Sequence, residues 1–144
     1  MASGRADSLD ALPASIAGLL ETSRRGVMTT VDPDGSPHAV PVVFAVFGDA
    51  IVSPIDRKPK SGKTLARVKN LKRDSRVAVL IDLWDEDWTK LAWLMVTGRA
   101  EIDAAPGDAP MRAINVRYPQ YAIDERHDAI IRIHPTRLLW WSWS

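Results

Sequence analysis

Apolar and polar positions along this chain alternate, or cluster in short runs, in a way that predicts strands joined by brief helices. Residues 27–31 (VMTTV) and 38–47 (HAVPVVFAVF) are rich in β-branched and aromatic side chains, which suit a pleated, half-buried surface. Between them stands Asp32-Pro33-Asp34-Gly35. Pro33 pre-sets its own φ and Gly35 can take a positive one, so the segment predicts a hairpin turn. Gly48-Asp49 predicts a second tight turn into a strand at 50–53, and the first three strands read as a meander. Further strands are expected at 76–82 (RVAVLID), 91–102 (LAWLMVTGRAEI) and 129–143, the last interrupted near Pro135. Gly98, inside a strand, predicts a bulge or the close approach of another backbone. Pro41 cannot donate to a ladder. Its strand is therefore an edge, carries a bulge, or leaves neighbouring backbone groups free for a planar ligand.

Helical spacing is confined to short segments. Pro13 suits a first helical position, Ile16, Leu19 and Leu20 form one stripe, and Gly26 acts as a stop. Leu65, Val68 and Leu71 predict a helix over 64–72, and another is expected over 109–116, broken by Pro119. Residues 1–12 are small and polar and read as a flexible arm, with a single domain over 13–144. The expected class is mainly β: about six strands, mostly antiparallel, with short helices at the crossovers, closed or nearly closed into a barrel that hides its edges.

Composition narrows the function. An apolar fraction of 46% and a charged fraction of 26% are those of a soluble globular protein. No apolar run approaches the ~20 residues that span a bilayer, and the first residues lack an apolar signal core. A cytoplasmic protein with no membrane partner is the expectation. The chain has no cysteine, which excludes disulfides, zinc–thiolate sites, iron–sulfur clusters and thiol nucleophiles. His38, His127 and His134 stand in no metal-spaced motif, so structural or surface roles are expected and no metal site. No nucleophile elbow, Walker loop or dinucleotide fingerprint is present. Asp85, Glu86 and Asp87 are adjacent, point in different directions and read as a solvated loop. No catalytic residue is identified.

Charge chemistry concentrates in residues 53–70. Arg57, Lys58, Lys60, Lys63, Arg67 and Lys69 gather around Ser61, Gly62 and Thr64, just before a predicted helix. Such a set of donors suits a phosphate or carboxylate; the alternative is a solvated basic loop. The formal net charge is only +1, so the cluster is local, and a nucleic-acid partner is not expected. A protein without an acid, base or nucleophile constellation can still do chemistry through a cofactor that it binds and orients.

The pattern TTVDPDGSPHAVPVVF (29–44), then a short strand, then a basic loop ending in RVKNLKRDSRVAVLID (67–82), resembles the pyridoxamine 5′-phosphate oxidase-like split barrels. The loop DRKPK (56–60) and the segment EDWTKLAWLMVTGRAEI (86–102) are similar to an actinobacterial subgroup of coenzyme F420-dependent (deazaflavin) oxidoreductases. The resemblance covers residues 27–102 and reaches the last strand more loosely. It implies a six-stranded antiparallel split β-barrel of the FMN-binding type. It also implies a homodimer with cofactor sites between subunits.

By position, the resemblance implies that Met28, Thr29 and Thr30 on one strand and Val40, Pro41 and Val42 on the next flank a tricyclic ring. Lys58, Lys60, Ser61, Lys63, Thr64 and Arg67 would hold the phosphate. Arg67 stands where many relatives carry lysine, which keeps the cation. The loop has two prolines and more lysines than the flavin-binding oxidases, charge that an acidic polyglutamate tail would use. The implied activity is hydride transfer between reduced coenzyme F420 and an electron-poor small molecule. FMN chemistry in the same fold, or a non-catalytic carrier of a flavin or deazaflavin, are the alternatives. Trp88 covers the site or caps the barrel end. Tyr118, Tyr121 or solvent supplies a proton where one is needed. Trp140, Trp141 and Trp143 need burial against the core or a partner subunit.

Overall fold

The computed structural model describes residues 1–56, 64–124 and 127–144. Among these residues, eight strands and four α-helices follow one another as β1 (Ala2–Ala6), α1 (Ala14–Thr22), β2 (Gly26–Val31), β3 (Pro37–Val42), β4 (Ala45–Phe47), β5 (Ala50–Asp56), α2 (Ala66–Arg73), β6 (Arg76–Leu83), β7 (Ala92–Asp103), α3 (Asp108–Arg117), α4 (Pro119–Asp124) and β8 (His127–Ser142). All strand pairings are antiparallel, in the order β3-β2-β6-β7-β8-β5-β4, with β1 added to β8. The mainly β class stands, with eight strands where six were expected.

The two additional strands have separate causes. The strand expected over 38–47 divides at Val43 and Phe44 into β3 and β4. Residues 2–6, read from their polarity as a loose arm, pair with the second half of β8, Ala2 opposite Ser142 and Ala6 opposite Leu138. The expected meander also stops after its first hairpin. β2 and β3 pair around a turn in which Gly35 adopts φ 87° and its N–H donates to the Asp32 carbonyl (2.9 Å). β4 and β5 pair instead at the far end of the sheet, where β5 lies beside β8. Pro41 is consistent with this break, because a strand that lacks one donor suits the sheet's edge. Since β3 and β4 occupy the two ends of the strand order and only two residues join them, the sheet curls back on itself.

The main core fills the concave side of that curl. Ile16, Leu19 and Leu20 of α1 pack there with Met28, Phe44, Ile51, Val79, Leu94, Ile131 and Leu138. A second cluster lies outside, where Ile114 of α3 and Tyr118 meet Ala45, Val52 and Ile130. β5 and the first half of β8 therefore contribute buried side chains to both clusters. This explains why they read as apolar runs rather than as an alternation.

Helix α2 is fixed by a polar contact. The buried Asn70 side chain donates to Thr30 Oγ1 (3.0 Å) and Asp32 Oδ1 (2.9 Å), and Arg73 donates to the Val31 carbonyl. The helix is thereby tied to the end of β2. Asn70→Ala is expected to destabilise the protein by about 2 kcal/mol, because Thr30 loses its donor inside the core. Chemical denaturation measures this.

Candidate functional site

A cleft of about 270 Å³ forms where five parts of the chain converge. Pro41, Val42 and Val43 at the end of β3 make one wall, and Ser53, Pro54 and Asp56 of β5 another. Arg25 enters just before β2, Arg67 from the first turn of α2, and Tyr121 from α4. Each position follows from local structure. Asn70, one turn beyond Arg67, docks α2 and so sets where Arg67 lies. Pro119 begins α4 after the Tyr118 cap, turning the chain so that Tyr121 returns to the sheet. Ser53 donates to the Val43 carbonyl (2.7 Å), joining the two walls across the gap between β3 and β5.

The electrostatics favour an anion with one counterpoise. Arg67 is partly buried, and its Nε has no hydrogen-bond partner among the described residues. Burial pulls its guanidinium below the ordinary arginine pKa, with Asp56 and Tyr121 acting the other way. It remains a cation at any physiological pH. Tyr121 is pushed up to about 12, first by burial, then by the charge of Asp56 and its hydrogen bond to that carboxylate. So firmly held a proton makes Tyr121 a hydrogen-bond donor rather than a ready acid. The first turn of α2 has no side-chain cap, although its Val68 N–H already donates to the Leu65 carbonyl (3.1 Å).

Tyr118 braces the cleft from behind. It is buried, its phenol donates to the Arg24 carbonyl (2.9 Å), and it accepts from the Phe44 N–H (3.4 Å) and Arg117 Nε (3.2 Å). Arg24 stacks 4.5 Å from the Tyr118 ring centroid, and Arg117 lies 4.9 Å from that of Phe44. The corner between β3 and β4 is thus held to the end of α1. Tyr118→Phe is expected to cost about 1–2 kcal/mol through the groups left unpaired. A lowered thermal midpoint with unchanged far-ultraviolet circular dichroism would register it.

The residues expected at the site are distributed as follows. Arg67, Pro41 and Val42 line the cleft. Thr64 is exposed just before α2. Met28, Thr30 and Val42 are buried, with Met28 and Val42 in the main core, so towards solvent these positions offer backbone rather than side chain. Val40 packs against that core, and Thr29 lies on the opposite, outward face. Trp88 sits in a turn between β6 and β7, 58% exposed, with its ring 6.5 Å from that of Trp84. That turn is at the same end of the sheet as Arg25, since β6 runs antiparallel to β2 and Leu80 pairs with Val27. Lys58, Lys60, Ser61 and Lys63 lie outside the described residues. Arg25, Ser53 and Asp56 were not expected at the site; Asp56 carries a signal, standing at the head of the DRKPK loop. Among the described residues, no cluster of three or more metal-ligating side chains occurs.

The outward face of the sheet beside the cleft carries an apolar row that ends against Arg5 of β1. Pairing places Pro41, Val27, Leu80, Met95 and Leu139 in one row across β3, β2, β6, β7 and β8. Trp93 and Trp141 stand opposite each other in a second row, which the exposed Asp82 of β6 also joins. Val27 is 38% exposed and Leu80 41%. Pro41 belongs both to this face and to the cleft, so the two are continuous. Among the described residues, no helix is long and apolar enough to cross a membrane.

Comparison with known proteins agrees with this architecture. The chain superimposes on a conserved hypothetical protein from Mycobacterium tuberculosis with a TM-score of 0.75 and 25% identity, covering 96% of this chain and 88% of that one. It matches an F420 reductase with a TM-score of 0.64 and 26% identity, covering 88% and 98%. A heme binding protein from Mycobacterium smegmatis shares the fold (TM-score 0.68, 19% identity), with 91% of this chain spanning 55% of that one. No curated protein matches. Residues 12–142 match the pyridoxamine 5′-phosphate oxidase family, and the chain belongs to that family.

Proposed function

We propose that this protein binds coenzyme F420 and transfers hydride between the reduced deazaflavin and an electron-poor small molecule. The observation that carries the reading is Arg67: a partly buried guanidinium whose Nε has no partner among the described residues, in a cleft with Arg25, at the start of α2. Charge-assisted hydrogen bonds to a phosphate oxygen would satisfy it. A cleft of about 270 Å³ admits a phosphate and part of its chain, but not a tricyclic ring as well. The ring would extend past Pro41 on to the outward apolar face. Family membership and the 26% identity to an F420 reductase support this choice of cofactor. Flavins such as FMN are bound within the family, and FMN in the same cleft is the second reading. Arg67 would serve its phosphate too.

The residues present fit such a group. Arg67, Arg25 and the first amides of α2 would hold the phosphate; Lys58, Lys60, Ser61, Lys63 and Thr64 are proposed to add to it. Thr29 and Pro41 would lie beneath the ring, with backbone groups at Met28, Thr30, Val40 and Val42 alongside. Trp88 would close the end of the sheet over it. When bound, the deazaflavin supplies the hydride chemistry, and the protein orients the ring and keeps water from it.

A second subunit follows from the same face. The row from Pro41 to Leu139 is too apolar and continuous to suit water, and a second copy packed against it would complete the ring's enclosure. Leu80→Lys is expected to convert a dimer into a monomer, read by light scattering after size exclusion. Retention of the dimer would place the interface elsewhere.

Turnover tests the enzymatic reading. Reduced coenzyme F420 should be oxidised by at least one acceptor from a panel of quinones, nitroaromatics and enones faster than without protein. Binding without acceleration by any acceptor would make the protein a carrier.

A further inference from the structure

We infer that a groove between α1, β4 and α3 binds a small amphipathic carboxylate. It encloses about 690 Å³, against about 270 Å³ for the Arg67 cleft, and the two share no lining residue. The inference therefore stands apart from the reading of that cleft. Ala45, Val46 and Phe47 all line the groove. Successive strand residues point to opposite faces, so a cavity lined by three in a row lies along the strand's edge. β4 ends the strand order, and on that side no described strand pairs with it. Across from this edge, α3 presents Ala109, Arg112, Ala113 and Val116, spaced i, i+3, i+4 and i+7 on one helix face. The two alanines leave room between helix and strand, and Val116 is 76% exposed. Leu20 of α1, a member of the main core, lies at the groove's base.

The charged side chains at the groove differ in what already holds them. Arg117 is committed to the fold: it donates to the carbonyls of Glu21 (3.1 Å) and Ser23 and to the Tyr118 phenol oxygen (3.2 Å). Arg24 donates to the Arg117 carbonyl (2.7 Å) and stacks on the Tyr118 ring, which fixes its guanidinium and leaves most of its five N–H groups unspent. Arg112 makes no hydrogen bond or ion pair with any described residue. Glu21 is the one acid at the groove, and it forms no ion pair with any of the three. Two guanidiniums without a carboxylate partner, beside apolar walls that face water, match a ligand with an apolar body and one carboxylate. The carboxylate would lie at Arg24 and Arg112, and the apolar body against Val46, Ala113 and Val116. A neutral ligand would leave both guanidiniums without a partner, and a cationic one would be repelled by them.

The test compares 4-phenylbutanoate with 4-phenylbutan-1-ol, two probes of similar shape that differ in charge, by titration calorimetry against the full chain near neutral pH. Wild type should bind the carboxylate with a dissociation constant of about 1 mM or tighter, the scale for a ligand of about a dozen non-hydrogen atoms. The alcohol should bind about tenfold more weakly, because it lacks the charge-assisted bonds to the guanidiniums. Arg112→Gln should weaken the carboxylate about fivefold, the upper end for an exposed ion pair, and leave the alcohol unchanged. Val116→Glu, at a position exposed enough to spare the fold, should weaken both probes and the carboxylate more. Arg67→Met should leave carboxylate binding as in wild type. Carboxylate binding that Arg112→Gln leaves unchanged would overturn the inference, and its loss in Arg67→Met would place the probe in the other cleft instead. Equal affinity for the two probes, or no binding of the carboxylate by wild type up to about 10 mM, would overturn it as well.

Discussion

Gly98→Ala is expected to destabilise the protein by about 3 kcal/mol or more, at the upper end of what overpacking costs. A methyl group at this position would overlap the carbonyl oxygen of His134 and lie 3.1 Å from Pro135 Cα. Both are backbone atoms of β8, so no side-chain rotation can relieve the clash. The ladder between β7 and β8 shifts register between Thr97 and Gly98, and Pro135 faces Gly98 where it does so. β8 is the long strand that carries β7, β5 and β1 along its length. Separating it from β7 would loosen the main core and the α3 cluster together. Urea denaturation should show a lower midpoint with an unchanged slope. A loss below about 1 kcal/mol would mean that the two strands can part locally at little cost.

The largest expected effect on binding is at Arg67. Arg67→Met keeps an unbranched stem of similar reach but removes the guanidinium. On the proposed reading, affinity for coenzyme F420 should fall by about tenfold to 150-fold, from the ~1.5–3 kcal/mol carried by hydrogen bonds to a charged group. Folding stability should hold or rise slightly, because a partly buried guanidinium whose Nε has no partner among the described residues is not stabilising on its own account. The opposite sign of the two effects makes this variant informative. A purely structural arginine would lose stability and leave affinity unchanged.

Much of the fold is written locally in the sequence. The Asp32–Gly35 turn, the stripe of Ile16, Leu19 and Leu20, and Gly98 each have a short-range signal, and each has the expected counterpart in the structure. Long-range pairing has no such signal. That β4 and β5 leave the first hairpin to join β8, and that residues 2–6 pair with the second half of β8, depends on which edges remain open after the rest has assembled.

The site shows the same division. Arg67 belongs to a visible basic cluster, whereas Arg25 and Tyr121 arrive from elements that only the topology brings together. The facing of β2 was not legible either. Val27 and Met28 are both apolar, and Thr29 and Thr30 are alike, so VMTTV fits either face. The structure buries Met28 and Thr30 and turns Val27 and Thr29 outward. The outward row through Pro41 and Leu80 becomes visible only once the strands are in register.

The central claim is that the cleft at Arg67 holds the phosphate of a deazaflavin. The most direct measurement is a parallel titration of purified apo-protein with coenzyme F420 and with FMN, followed by fluorescence, for wild type and Arg67→Met. The account predicts tighter binding of coenzyme F420 than of FMN by wild type, and its loss in the variant. Equal binding of coenzyme F420 by wild type and Arg67→Met, or no binding by either, would contradict it.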